Sequence, residues 1–409
     1  MTPFPRANLL SDDMIFELSR VATAIRCLSV DMVQNANSGH PGLPLGCAEI
    51  GAYLFGLFLR FNPKDPDWEG RDRFILSAGH GSAFLYSCLY LSGFDLSIDD
   101  LREFRRLNSK TPGHPERGVT AGVESTTGPL GQGLGHAVGQ ALSLKMFYSS
   151  GKEEGRPSQP KVIALCGDGC LMEGISYEVS SFAGHLKLDN LIVVFDSNGI
   201  CLDGFTKDCW TDDITLRFKS CGWDIVEIDG HDLQELHKAF YSLREQQTVP
   251  TLIVARTIIG KGSPVNSGTN LVHGAPLGQD AVDRLKRAVN FPIESFYLPS
   301  EVSDFFSVKI LERVDQAKKW SADFNKWLEI NIEARGIYQG QRSLPQEGIE
   351  KEIWEIELDH NQPGRNLSQD VLSALVKRIP FLCGGSADLS SSDKTLLKEY
   401  SVVSKENLS

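Results

Sequence analysis

No Cys-x-x-Cys, His-x-His or His-Glu-x-x-His pair occurs in the 409 residues, and no short-period repeat runs through them. Their absence argues against a thiolate zinc site, a histidine-pair metal centre and a solenoid. Long apolar runs are missing too: nothing approaches the ~18 consecutive apolar residues of a membrane span, and the most apolar window, starting at Ile50, meets Arg60. The first 13 residues lack a basic start followed by an apolar core, so no secretory leader is expected. Positive charge is in deficit, with 41 Lys plus Arg against 53 Asp plus Glu and a net charge of −12. That balance disfavours non-specific nucleic-acid binding, which rests on cation-to-phosphate attraction. The expected protein is cytoplasmic and meets neither nucleic acid nor membrane. A phosphorylated ligand would need a local device to hold it.

What is present is an ordinary globular composition, 41% hydrophobic and 23% charged. At about 150 residues per domain, two to three domains are expected. The nine cysteines are odd in number, scattered, and mostly set in apolar runs such as 162–166. They read as small buried hydrophobes in a reducing compartment.

Apolar positions over 14–33 recur at helical spacing behind the capping candidates Ser11 and Asp12, and a glycine-rich turn, Asn37 to Gly42, follows. A second helical stretch covers 46–60. Short apolar runs at 73–77, 161–166, 191–195 and 250–256 each lead into a glycine-containing loop. Continuously apolar strands separated by helices imply an α/β fold, an open parallel sheet with helices on both faces. Ligands bind at the carboxyl ends of such strands, where these polar loops sit. After His273 the texture changes to mixed-charge helices over 293–338 and a polar stretch over 339–348. A helix at 366–379, a strand at 380–383 and a glycine turn then read as the start of a second α/β unit.

Gly167-Asp168-Gly169 and Asn198-Gly199-Ile200 stand at successive strand ends. Asp168, Asn198 and the Ile200 carbonyl offer hard oxygen ligands, which with diphosphate oxygens suit Mg²⁺ or Ca²⁺ rather than zinc. Taken singly, either motif is also an ordinary turn. The loop Gly128 to Gly135 opens a helix, and helix amino termini attract anions, although tight packing alone also calls for glycine. Four histidines sit in glycine loops: His40, His80, His114 and His273. Each can donate to phosphate, exchange a proton near neutral pH, or simply make a structural hydrogen bond. His136, His185, His231, His237 and His360 read as structural or exposed.

With SGHPG, SAGHGS, TPGHPE, TTGPLGQG, GDGCLMEGISYE, DSNGI and VHGAPLG in this order, the chain resembles the amino-terminal part of transketolases of the bacterial, yeast and plant type. The resemblance implies a thiamine diphosphate-binding fold. It further implies a diphosphate-binding domain over 1–325, a linker over 326–354 and the beginning of a pyrimidine-binding domain over 355–409. Asp168, Asn198 and the Ile200 carbonyl would hold Mg²⁺, Ca²⁺ or Mn²⁺, and Gly169, His80 and His273 would contact the diphosphate. Gly128, Pro129 and Leu130 would line the cofactor rings, and Asp388 would lie near them. Glu173 would join a carboxylate network linking paired sites of a homodimer. His40 and His273 would transfer protons, His114 would orient substrate hydroxyls, and Arg365 and Ser392 would take the sugar phosphate.

The implied reaction moves a two-carbon ketol unit from xylulose 5-phosphate to ribose 5-phosphate or erythrose 4-phosphate, as in the pentose phosphate pathway and the Calvin cycle. The family's cofactor-activating glutamate has no counterpart within these residues, so this stretch alone is expected to be nearly inactive. A non-catalytic thiamine diphosphate-binding protein and a dihydroxyacetone synthase-like enzyme are the alternative readings.

Overall fold

The computed structural model describes residues 9–244, 246–343, 351, 353–359, 361–379 and 381–407. They fall into two compact units, one drawn from Met1–Leu144 and Ser158–Ser321, the other from Lys145–Pro157 and Ala322–Ser409.

The first unit is built on a five-stranded sheet ordered β1-β2-β3-β7-β6, formed by β1 (Arg73–Leu76), β2 (Val162–Gly167), β3 (Leu191–Ser197), β6 (Asp224–Asp229) and β7 (Thr251–Arg256). Every pairing is parallel. The four strands expected from apolar runs are all present, and Val162–Cys166 and Leu191–Phe195 are buried throughout, as a sheet covered on both faces requires. β6 is the strand those runs do not reveal. It lies at the edge, reads Asp-Ile-Val-Glu-Ile-Asp, and is only partly buried. A two-stranded hairpin, β4 (Ile200–Cys201) with β5 (Gly204–Phe205), follows β3.

The helix Asp12–Ala36 covers the expected span 14–33. Its Ser11 side chain accepts the Met14 amide, and Asn37 closes it in a left-handed conformation. The expected helix over 46–60 is broken into Gly42–Gly46, Ala48–Tyr53 and a π-helical turn, Leu54–Phe58. The glycines inside these pieces serve close packing: a Cβ on Gly46 would stand 3.0 Å from the Ile258 carbonyl oxygen, and one on Gly51 would stand 2.5 Å from the Phe84 ring. Polar groups in this interior are paired. Lys286 Nζ and Asp31 Oδ1 lie 2.7 Å apart with 0% and 2% of their side chains exposed. Asp72, wholly buried, accepts from Arg60, Arg244 and the Lys161 amide.

In the second unit Trp327 is buried among Phe147, Tyr148 and Phe324, and its indole N–H donates to the Lys152 carbonyl at 2.8 Å. The mixed-charge region forms the helices Ser300–Ile330 and Ile332–Ser343, the latter inside the expected linker. Helix Gly364–Arg378 matches the span expected at 366–379. The strand expected over 380–383 is not seen: Pro380 lies outside the described residues, and 381–383 form a turn and irregular chain. A strand needs a neighbour for its backbone groups, and no strand is present among the described residues of this unit.

Candidate functional site

Strand register assembles the site. Gly167 pairs with Asp196, so Asp168 and Asn198 emerge at neighbouring strand ends. Asp168 opens a short helical turn, Asp168–Met172, and is 5% exposed. Its Oδ2 is buried without a hydrogen-bond partner. Burial first, and then the nearby Asp196 carboxylate, push its pKa up to about 8. An isolated buried carboxylate of this kind is costly unless a cation arrives. Asn198 donates to Asp196 Oδ2 at 2.9 Å and accepts the Ile200 amide at 2.9 Å, which turns the chain into β4. Ile200 then packs with Ile259 and Val272, fixing its loop against the loop that carries His273.

Three of the four loop histidines meet here. The ring centroids of His80 and His273 are 5.0 Å apart and stacked, while His40 lies 5.2 Å from His80 and 5.9 Å from His273, edge-on to both. His40 is delivered by Gly39 at φ 136°, where a Cβ would stand 3.0 Å from Val33 and 3.2 Å from Phe104. Burial, then His273, Arg105 and His114, lower the His40 pKa to about 4. His80 is held well below its ordinary value by burial and by His273, His40 and His114; His273 is lowered by burial, and His114 by burial and Arg105. The cluster is therefore neutral at pH 7. The Nδ1 atoms of His40 and His273 are buried without partners, so they are free to bond a polar ligand.

The glycine loop closes over this edge. Thr127 Oγ1 donates to the Leu76 carbonyl at 2.8 Å, anchoring the loop to the end of β1. Gly128 has φ 151°, and a Cβ there would touch the His114 ring at 3.4 Å. A Cβ on Gly169 would stand 2.8 Å from Leu130, and one on Gly131 would stand 2.8 Å from Glu173. Close packing is thus part of this loop's role. Leu130 is half-buried, whereas Pro129 and Glu173 are exposed. Arg365, on helix Gly364–Arg378, and Asp388 and Ser392, beyond it, belong to the second unit and are exposed.

Sequence reasoning missed the support behind the site. Glu49, which belongs to none of the motifs above, binds Arg26, Lys261 at 3.1 Å and His231 Nδ1 at 3.3 Å. His231 Nε2 accepts the Ile258 amide, so Nδ1 carries the proton given to Glu49. Burial would raise the Glu49 carboxyl, but the His231 hydrogen bond and the Arg26 and Lys261 charges hold it well below the usual carboxylate range. The structural role expected for His231 agrees with this. His136 contacts Ser125 and His237 contacts Tyr53, His185 is exposed, and His360 lies outside the described residues. Among the described residues no three His, Cys, Asp or Glu side chains group to hold a metal. The oxygen set at Asp168 is of another kind, one carboxylate with amide and carbonyl oxygens.

Fold and site define a parallel α/β domain with its polar groups gathered at the carboxyl edge of the sheet, beside a glycine loop that opens a helix. The family described as "Transketolase, thiamine diphosphate binding domain" matches residues 18–341. The chain belongs to the transketolase family. It is 45% identical over 391 residues to a transketolase of Bacillus subtilis, covering 93% of this chain and 58% of the relative. It is 44% identical to one of Aquifex aeolicus, covering 93% and 55%. Among solved structures, a Pichia stipitis transketolase in complex with sedoheptulose 7-phosphate superposes with a TM-score of 0.84 at 41% identity, covering 93% of this chain and 57% of that one. A Campylobacter jejuni transketolase gives 0.84 at 39%, covering 95% and 59%. The chain therefore spans somewhat over half the length of these relatives.

Proposed function

We propose that these residues are the cofactor- and metal-holding part of a transketolase, which moves a two-carbon ketol unit from a ketose phosphate such as xylulose 5-phosphate to an aldose phosphate such as ribose 5-phosphate or erythrose 4-phosphate. The buried, partnerless carboxylate oxygen of Asp168 carries this reading, because it is a cation ligand in want of its cation. Asp168, Asn198 and the Ile200 carbonyl hold the divalent ion, Mg²⁺ or else Ca²⁺ or Mn²⁺, whose charge offsets the diphosphate. Gly169, His80 and His273 face that diphosphate, and Gly128, Pro129 and Leu130 back the rings. When bound, thiamine diphosphate supplies the carbanion chemistry that cleaves the bond beside a ketose carbonyl.

His40 and His273, neutral at pH 7 on the pKa shifts above, accept and return protons of substrate hydroxyls. His114 orients hydroxyl groups beside them. The guanidinium fork of Arg365 suits a terminal phosphate, with Ser392 as a further donor, and Asp388 and Glu173 are assigned to the cofactor surroundings. We assign 1–325 to the diphosphate-binding domain, 326–354 to the linker and 355–409 to the start of the pyrimidine-binding domain. The nine free cysteines support placement in the reducing cytoplasm.

Titration calorimetry with thiamine diphosphate and Mg²⁺ tests the site. Asp168→Asn is expected to weaken Mg²⁺-dependent binding at least about tenfold, since even groups behind a metal ligand cost that much. Its melting temperature should not fall, because the variant removes an uncompensated carboxylate. Undiminished affinity would remove Asp168 from the metal site.

A homodimer is the expected assembly. Its support is the exposed apolar face of helix Gly174–His185, where Ile175, beside Gly135, and Phe182 are 40% and 44% exposed. Ile175→Glu with Phe182→Glu is expected to shift the protein to monomer in sedimentation; an intact dimer would place the interface elsewhere.

A further inference from the structure

One side chain with no role in the chemistry above touches the loops of two of the site histidines. Arg105 stands at φ 64°, a left-handed conformation that a bulky residue keeps only where its surroundings hold it. Its amide donates to the Thr111 carbonyl at 2.9 Å. A Cβ on Gly113 would stand 2.8 Å from Arg105 Nε and 3.2 Å from its Nη2, so the guanidinium lies against the backbone just ahead of His114. Its Nη1 donates to Ser38 Oγ at 2.7 Å, two positions ahead of His40. One planar group therefore meets both loops. Helix Ser82–Leu91 supports the His114 loop without a second cation: Ser82 Oγ donates to the Gly113 carbonyl and the Tyr86 hydroxyl to the Pro112 carbonyl, each at 2.8 Å.

We propose that Arg105 is a positioning residue for both histidines: its guanidinium pins the turn that carries His40 to the loop that carries His114 and keeps a fixed positive charge near both rings. The tie sets where one ring stands relative to the other. The charge disfavours protonation of a neighbouring imidazole, and a guanidinium holds it at every working pH. The lowered pKa values agree with that placing, since Arg105 contributes at His114 after burial, and at His40 after burial and His273. The other groups facing His40 are the rings of His80 and His273, and His114. His114 meets Gly128 and, at its carbonyl, the Tyr86 hydroxyl, while Glu116 two positions on is exposed. A neutral imidazole is the form that takes a proton from a hydroxyl. The inference deepens the roles proposed for His40 and His114 and rests on that reading.

The test is an NMR pH titration of the full chain labelled at histidine, without cofactor or substrate, each signal assigned from its own His→Gln variant. In Arg105→Met the titration midpoints of both His40 and His114 are expected to rise, while that of His237, which contacts Tyr53, stays in place. Arg105→Lys, which returns a cation, should bring both midpoints back down. The Asp168→Asn calorimetry judges the transketolase reading separately, and its failure would leave these midpoints where they are. Midpoints unchanged in Arg105→Met, a rise in only one of the two, or an equal shift at His237, which marks general loosening, would overturn the assignment.

Discussion

Asp72→Asn is expected to cost the first unit about 3–5 kcal/mol, the range for removing one partner of a buried ionic network. Asp72 joins four segments. It accepts the Arg60 amide at 2.8 Å, the Arg244 guanidinium at 2.8 and 3.0 Å, and the Lys161 amide at 2.8 Å, the last just ahead of β2. It also directly precedes Arg73, the first residue of β1. An asparagine would leave the Arg60 and Arg244 guanidinium groups facing each other with no anion between them. Urea unfolding should show a lower midpoint at an unchanged slope.

Acid provides the same test without a mutation. Burial would raise the Asp72 carboxyl, but Arg244 and Arg60 outweigh it and hold the pKa well below the usual range, as also happens for Glu49. A depressed folded-state pKa gives stability that is fully present above the unfolded value of about 4 and is lost as pH falls through the folded one. Stability should therefore decline below about pH 4, less steeply in Asp72→Asn than in the wild type. Equal acid slopes would mean that Asp72 is not the linked group.

The sheet was legible because four of its strands are continuously apolar and end in glycine loops, a local pattern that burial on both faces imposes. β6 was not, since an edge strand satisfied on one side tolerates the charges of Asp224, Glu227 and Asp229. The loops of the site could be read in order, yet nothing local says that His40, His80 and His273 meet; that follows from strand order and register. Glu49 shows the limit best. Its partners Arg26, His231 and Lys261 lie 23, 182 and 212 positions away, and no window of sequence contains them. The strand expected at 380–383 is not seen for the converse reason: it is a local apolar run, and no strand stands beside it among the described residues of its unit.

Lys286→Met should be as damaging as Asp72→Asn, at about 3–5 kcal/mol, because it strands Asp31 in the interior. Both side chains are out of solvent, so neither charge can be screened by water. Burial, only partly offset by Lys286, already raises the Asp31 carboxyl, which must rise further and take up a proton once the ammonium is gone. Asp31 Oδ2 also accepts the Phe296 amide at 2.7 Å, and Phe296 sits at φ 59°, a left-handed conformation a bulky residue adopts only when held there. A protonated Asp31 holds that amide more weakly. Asp31→Leu together with Lys286→Met should recover part of the loss, since two apolar groups replace a charge left alone. Recovery cannot be complete, because the Phe296 amide and the Glu294 carbonyl, which accepts from Lys286 at 2.9 Å, lose their partners. A double-mutant cycle reads the coupling directly, and strictly additive losses would show that the two charges do not depend on one another.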